Sequence, residues 1–285
     1  MHSICFIRMN EIVSILNAII TEEPVQNSNT VIGHELQAII SIMQKDPTSV
    51  NSIPDFEEIL FSLINSRTIR LSSVVSNTLG ICLALYYKSH KISYWKFISI
   101  INDSISRTSI AGIVVLGIVA RHSTEGIKSQ LPSLITSMLQ IQKNSLQPFI
   151  CQCFRRILKG TGTFLTKSIT DILSYVQKHI NNPSIDSMKI ECFRTISSLF
   201  IYSKITIDKL LPLLNQMLSY STSYTHRYAA SKSLASIGFE GCSKDVELAN
   251  NTKGEEINPF QFFFKLIFDL APNDSNIPTI SSSFV

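Results

Sequence analysis

Two amphipathic segments recur together along the chain at nearly constant intervals. Within each segment, apolar residues occupy positions i, i+3, i+4 and i+7, which is the spacing of one helix face. The first segments begin their apolar pattern at Phe56, Tyr94, Leu131, Ile169 and Leu210, and the second segments at Leu71, Ile110, Leu146, Ile185 and Tyr224. Successive first segments, and successive second segments, are therefore 36 to 41 residues apart.

Repeats of about 40 residues built from two helices are typical of HEAT and armadillo proteins. A further pair at Ile12–Ile20 and Leu36–Met43 precedes the regular ones. The sequence therefore predicts an all-α fold, a HEAT/armadillo-like α-solenoid (superhelix) of about six helix pairs. Each pair would bury its apolar faces against the neighbouring pairs.

Prolines and glycines support this assignment. Pro54, Pro132 and Pro212 are expected in or near the first turn of first helices, where the missing N–H costs little. Gly160 is expected to end the helix that contains Leu158.

The domain organisation follows from where the periodicity stops. Residues 1–239 are predicted to form the repeat array, 240–258 a polar loop, 259–271 a Phe-rich terminal helix and 272–285 a disordered tail. Phe260, Phe263 and Phe264 would give that last helix an apolar face with no partner helix after it. This face leaves three alternatives open: the helix folds back as a cap, it contacts another chain, or it marks a protein shorter than its relatives.

Charge alone does not identify a partner class. The net charge of +4 is small, and Lys and Arg are spread along the whole chain. The densest basic cluster is Arg155, Arg156, Lys159 and Lys167. It fits either a solvated helix edge that complements the helix dipole, or a contact for an acidic peptide or an anionic membrane surface.

No catalytic or metal-binding motif is evident in the sequence. Cys151 and Cys153 would point to nearly opposite sides of a helix, and there is no CxxC pair. The six histidines form no HExxH motif, and Gly160-Thr161-Gly162 lacks the GK[ST] ending of a phosphate loop. We therefore predict no catalytic, cofactor-binding or metal site, no enzymatic activity, and six reduced, packed cysteines.

The apolar run Ile110–Ala120 is eleven residues long, whereas a membrane-spanning helix needs about 20. It is therefore predicted to be a buried helix of the array.

Four stretches resemble a known family: Arg70–Tyr87, Ser109–His122, Leu131–Gly162 with its RRILKGTG ending, and Tyr224–Gly238. Over residues 60–238 the chain is similar to an N-terminal portion of the HEAT-repeat-containing protein five family, large proteins that accompany clathrin adaptors. The resemblance implies a cytoplasmic accessory of vesicle trafficking between endosomes and Golgi. It would bind clathrin adaptors or their accessories, and would reach Golgi or endosomal membranes only through those partners.

The functional prediction is thus a non-catalytic protein–protein interaction scaffold. Another kind of HEAT/armadillo scaffold remains an alternative, either a phosphatase regulatory subunit or a peptide binder of the nuclear-transport type. Nucleic acid is not an expected partner, because the sequence has a single tryptophan, Trp95, and no ladder of Trp and Asn.

Overall fold

The computed structural model describes residues 2–21, 27–51, 53–66, 71–90, 94–122, 125–180, 186–203, 205, 207–219 and 223–243. Every regular element in this part of the chain is helical, which confirms the all-α prediction. The α-helices are α1 (His2–Thr21), α2 (Ser28–Lys45), α3 (Phe56–Asn65), α4 (Ser73–Ser89), α5 (Trp95–Ser106), α6 (Ile110–His122), α7 (Leu131–Leu139), α8 (Gln147–Thr161), α9 (Thr166–Ile180), α10 (Asp186–Tyr202), α11 (Ile207–Ser219) and α12 (Tyr224–Ser243). Short 3-10 helices lie at Pro47–Val50, Lys128–Gln130, Asn144–Leu146 and Gly162–Leu165.

The helices come in six pairs within the described residues, as the periodicity predicts. Odd-numbered helices are the first members of the pairs, and even-numbered helices are the second members. Every predicted start of the five regular pairs lies within three residues of an observed helix start. The additional N-terminal pair is also present, as α1 and α2.

The chain divides into two compact units, which meet in the sequence between Thr161 and Gly162. In the first unit, the second helices α2, α4, α6 and α8 pack in series, each against the next. The first helices α1, α3, α5 and α7 also contact one another in chain order. The first unit is therefore built from two rows of helices, and each successive helix pair adds one helix to each row.

Helix α6 lies at the centre of the first unit. All ten residues from Ala111 to Ala120 are buried, because α6 packs against α4, α5 and α8. A helix that is apolar on every side is stable only when it is buried on every side. This confirms that the apolar run Ile110–Ala120 belongs to the protein core. Among the described helices, none combines the length and the apolarity needed to cross a bilayer.

An aromatic cluster joins α3, α4 and α5. The ring of Tyr87 stacks on Tyr94 at 4.3 Å between centroids and meets Phe97 edge-on at 5.7 Å. The Tyr87 hydroxyl donates a hydrogen bond to the carboxylate of Glu57. Burial of the phenol and this bond both raise the pKa of Tyr87, so it stays neutral. This bond holds the Glu57 carboxylate against the aromatic cluster.

A polar contact joins one repeat to the next. Arg107, directly after α5, donates a hydrogen bond of 3.2 Å to the carbonyl of Asn65 at the end of α3. The same guanidinium also binds the Asn65 side chain and, at 2.7 Å, a carboxylate oxygen of Asp103. Arg107 thus ties the α5–α6 turn to a residue about one repeat earlier in the chain.

In the second unit, α10 packs against α9 and α12, and α11 contacts α9, α10 and α12. The buried side of α12 is formed by small residues and a few larger ones, namely His226, Ala229, Ala230, Ser231, Ser233, Leu234 and Ile237. The apolar pattern of this helix was predicted to begin at Tyr224. That prediction is wrong, because Tyr224 is 75% exposed, and Tyr228, one turn later, is 54% exposed.

Two predicted helix ends are also wrong. Gly160 lies inside α8, and the residue with a left-handed backbone is Gly162, at φ 55°. Pro132 is at the start of α7 as predicted, but Pro212 lies inside α11, where it removes one intrahelical hydrogen bond. Helix α12 continues to Ser243, beyond the predicted boundary at residue 239. The rest of the predicted polar loop, the Phe-rich helix and the tail lie outside the described residues.

Candidate partner-binding surface

Glycines set the distance between the second helices of the first unit. A Cβ added to Gly80 on α4 would lie 2.8 Å from the Cβ of Ile118 on α6. A Cβ added to Gly117 on α6 would lie 3.1 Å from the Cα of Cys153 on α8. Only residues without a side chain allow such close helix packing. The first contact joins the middle of α4 to the carboxyl-terminal half of α6, and the second joins the middle portions of α6 and α8. Consecutive second helices therefore pack closely against each other.

The carboxyl-terminal ends of these three helices carry a group of cationic side chains, which we call the basic end row. Its members are Lys88 on α4, Arg121 and His122 on α6, and Arg156 and Lys159 on α8. Lys88, Arg121, His122 and Lys159 are exposed, whereas Arg156 is half-buried. Helix α2, which precedes α4 in the series, also ends in a lysine, Lys45.

The charges of α4, α6 and α8 are all of one sign. These helices contain no Asp or Glu, and their Lys and Arg residues lie in the last two turns. Each helix end carries about half a negative charge from its backbone dipole, which nearby cations stabilise. The full charges of the basic end row exceed these partial charges. The helices α4, α6 and α8 therefore contribute only cations to this edge, whereas the carboxylate of Glu57 on α3 contacts Tyr87 near the end of α4.

The surroundings of His122 show how closely these groups approach each other. Partial burial lowers the pKa of His122, and the charges of Arg121, Lys159, Arg156 and Lys88 lower it further. These cations come from α4, α6 and α8, so the ends of all three helices contribute to one electrostatic environment. Protonation of His122 is disfavoured because it adds another positive charge to this edge.

The predicted site residues fall in three different places. Arg155, Arg156 and Lys159 lie on α8 in the first unit, and they belong to the same helix end as predicted. Lys167 lies on α9, in the second unit. Phe260, Phe263 and Phe264 lie outside the described residues, so their predicted role as a partner contact stays a prediction.

Sequence reasoning missed Lys88, Arg121 and His122 as members of the same surface. The signal was present, because each residue occupies the last turn of a second helix, about one repeat from the next member. The search for a dense run of basic residues along the chain selected the neighbours Arg155 and Arg156 instead. Stacked repeats bring together residues that recur at the repeat length, not residues that are adjacent in the sequence.

The nucleophilic and metal-ligating side chains are dispersed or buried. Cys82, Cys151, Cys153 and Cys192 are buried and form no disulfide, as predicted, and burial raises the pKa of Cys82 and Cys153 to about 12. Such thiols are poor nucleophiles because little thiolate is present at neutral pH. In the part of the chain that the structure describes, no three His, Cys, Asp or Glu side chains are placed to hold a metal ion.

Two histidines of the second unit are buried. His179 is 8% exposed and packs against Tyr175 at 4.4 Å between ring centroids. His226 is 2% exposed, with its Nε2 3.4 Å from Asp186 Oδ1 and its ring edge-on to Phe193. Both rings therefore fill the interior of the second unit.

An open cleft of about 500 Å³ lies between α1 and α3. Its polar lining includes Asn10, Asn17, Asp55, Glu58 and Ser62. Glu58 forms an exposed ion pair with Lys96 at 2.5 Å, so part of its charge is already compensated. Of the surfaces described, the basic end row combines contributions from the most consecutive helices, which makes it the better candidate for binding a partner.

The chain matches no protein-family model, no curated protein and no solved structure.

Proposed function

We propose that this protein is a non-catalytic protein–protein interaction scaffold of the HEAT/armadillo type. The observation that carries the proposal is the serial packing of α2, α4, α6 and α8, which aligns equivalent helix ends along one edge. Stacked repeats of this kind provide extended surfaces on which partners bind across several units. The basic end row gives that edge a chemical character suited to an acidic partner.

The trafficking role is the more specific part of the proposal. It is supported by the resemblance of residues 60–238 to large HEAT proteins that accompany clathrin adaptors. In this role the protein would be cytoplasmic, and adaptors or their accessories would bring it to Golgi or endosomal membranes. The proposal assigns it no cofactor, metal ion or nucleic-acid ligand.

Proximity labelling of the full chain, tagged in its own cells, tests this function. We expect clathrin-adaptor subunits or their accessories to be enriched over a tag-only control, and to copurify in a subsequent affinity isolation. Enrichment of a phosphatase catalytic subunit or of nuclear-transport cargo would replace the trafficking role with another scaffold role. If no protein is reproducibly enriched over the control, the scaffold function itself is wrong.

A further inference from the structure

We propose that the basic end row binds an extended acidic segment of a partner protein, with one acidic side chain at the end of each of α4, α6 and α8. This inference rests on the proposed scaffold function and specifies the chemistry of its partner. The carboxylates would meet Lys88, Arg121 and Lys159, which are the exposed Lys and Arg residues of the row.

The arrangement of the helix ends sets the spacing of the acidic residues. Packed helices lie about 8–10 Å apart, and the glycine contacts at Gly80 and Gly117 keep these helices close. A polyproline II segment has three residues per turn and rises about 9 Å per turn. Side chains at positions i, i+3 and i+6 of such a segment therefore face the same side at the spacing of the helix ends. A β-strand fits less well, because its neighbouring residues on one side, i and i+2, are only about 6.5 Å apart.

The cations of the row can recognise carboxylates in two ways. The guanidinium of Arg121 offers the planar, paired donors that match a carboxylate. Lys88 and Lys159 supply compact charges on flexible side chains, which tolerate variation in the flanking positions. The centre of the row would therefore determine orientation more strongly than its two ends.

The surroundings of the row favour a peptide over a membrane. Peripheral membrane surfaces combine cations with apolar side chains that enter the lipid. The large apolar residues that are exposed in the first unit, as far as it is described, are Ile7, Val31, Val74, Ile81 and Trp95. None of these residues lies in the last turn of α4, α6 or α8. Trp95 comes nearest to the row, because the adjacent Tyr94 stacks on Tyr87 beside Lys88. One exposed apolar side chain next to several cations suits a peptide better than insertion into lipid.

Peptide titrations against the full-length protein test this proposal. The probe is a labelled proline-rich peptide with three glutamates at every third position (EPPEPPE). One comparison peptide has the same composition but adjacent glutamates, and a second has glutamine in place of each glutamate. We expect the spaced glutamate peptide to bind at low salt at least about tenfold more tightly than the glutamine peptide. The peptide with adjacent glutamates should bind with intermediate affinity.

A triple variant, K88Q/R121Q/K159Q, identifies the surface. It should weaken binding of the spaced peptide about tenfold, whereas the control variant K96Q/K128Q/K143Q should leave binding unchanged. Both variants remove three positive charges from the first unit, so a general effect of net charge would weaken binding equally in both. Far-ultraviolet circular dichroism and thermal melting show whether each variant keeps the fold. Equal affinity of the wild-type protein and the triple variant would overturn the proposal.

Two further measurements test whether the peptide binds near His122 and whether the row prefers a membrane or RNA. Nuclear magnetic resonance should show the pKa of His122 rising on peptide binding, because added carboxylates offset the surrounding cations. Vesicles containing phosphatidylserine and a single-stranded RNA oligonucleotide serve as competitors, and stronger row-dependent binding to either would assign the row to that ligand instead. If adaptor partners are enriched by the wild-type protein but the spaced peptide binds the triple variant equally well, the scaffold function stands and the acidic-peptide site is wrong.

Discussion

Gly80 and Gly117 show how single residues determine the packing of this protein at the smallest scale. Each lies in the middle of a second helix and faces the next helix of the series. Both follow a leucine and precede an isoleucine, in the repeated triplets Leu79–Ile81 and Leu116–Ile118. A glycine inside a helix costs conformational entropy relative to alanine. That cost is offset here because the missing side chain lets two helix backbones approach.

Replacing either glycine with alanine should therefore destabilise the first unit. Gly80→Ala places a methyl group against the Cβ of Ile118, and Gly117→Ala places one against the backbone of Cys153. Such overpacking costs about 1–3 kcal/mol. Urea unfolding followed by circular dichroism would measure the loss.

Gly33→Ala on α2 is the matched control. A Cβ there would lie 3.5 Å from the nearest side-chain atom of Val75, which is an ordinary contact. We expect it to leave stability unchanged or raise it by about 0.5–1 kcal/mol, since alanine favours the helix. If all three substitutions had the same effect, helix propensity and not close packing would explain these positions.

The interior of the second unit shows what residue types alone do not reveal. His226 fills a site between α10 and α12, whereas Tyr224 and Tyr228 on the same helix face solvent. The spacing of residues in α12 is compatible with burial of either the His226 side or the tyrosine side, since polar and apolar residues lie on several sides of this helix. Neighbouring helices decide which side is buried, and their positions are not encoded in the local pattern.

At the scale of helices, the pattern of the sequence predicts the fold well. The starts of most helices from α3 to α12 follow from apolar periodicity, because the amphipathic ones have one side that must be buried. Helix α6, which is apolar on every side, follows from its apolar run instead. Helix ends are predicted less well, as Gly160 and Pro212 show. Glycine and proline restrict backbone conformation only locally, and packing of the helix against its neighbours can override them.

The contact of Arg107 with Asn65 leads to a prediction about how successive pairs are joined. Arg107→Met removes the hydrogen bonds to Asn65 and the ion pair with Asp103 while keeping much of the side-chain volume. We expect a loss of about 1 kcal/mol, at the lower end for bonds to a charged group, because the side chain is partly exposed. Thermal unfolding of the full chain would detect it.

Arg107→Lys separates charge from geometry at the same position. A lysine keeps the positive charge near Asp103, but it lacks the fork of donors that binds Asn65 and Asp103 together. Its stability should fall between that of the wild-type protein and that of Arg107→Met. Full recovery with lysine would show that charge alone accounts for the contact.

Only part of the basic end row could be predicted from the sequence, because the row depends on how separate helices pack together. Its members Arg156 and Lys159 were identified, together with Arg155, because these residues are close in the sequence. Lys88 and Arg121 lie at the ends of other helices, and they join the row only because α4, α6 and α8 pack side by side. Lys167 is close to Lys159 in the sequence but belongs to the second unit.

At the scale of the whole molecule, the first unit has a core of its own. Its central helix, α6, is covered by α4, α5 and α8, and the contacts that bury it come from residues before Gly162. Its last helix, α8, is amphipathic. On its polar side, Gln152 and Arg155 are half-buried and Lys159 is exposed. A terminal helix with a polar outer side can close a stack of repeats, as capping repeats do.

Residues 1–161 should therefore fold without the rest of the chain. We expect this fragment to be helical by circular dichroism and to unfold in one cooperative transition. A fragment of residues 1–139 is the control, since it lacks α8 and leaves one side of the all-apolar α6 uncovered. That exposure should abolish cooperative unfolding and produce aggregation or binding of a hydrophobic dye. If residues 1–139 were as stable as residues 1–161, α8 would not be needed to close the first unit. If residues 1–161 failed to unfold cooperatively, the first unit would not be an independent folding unit.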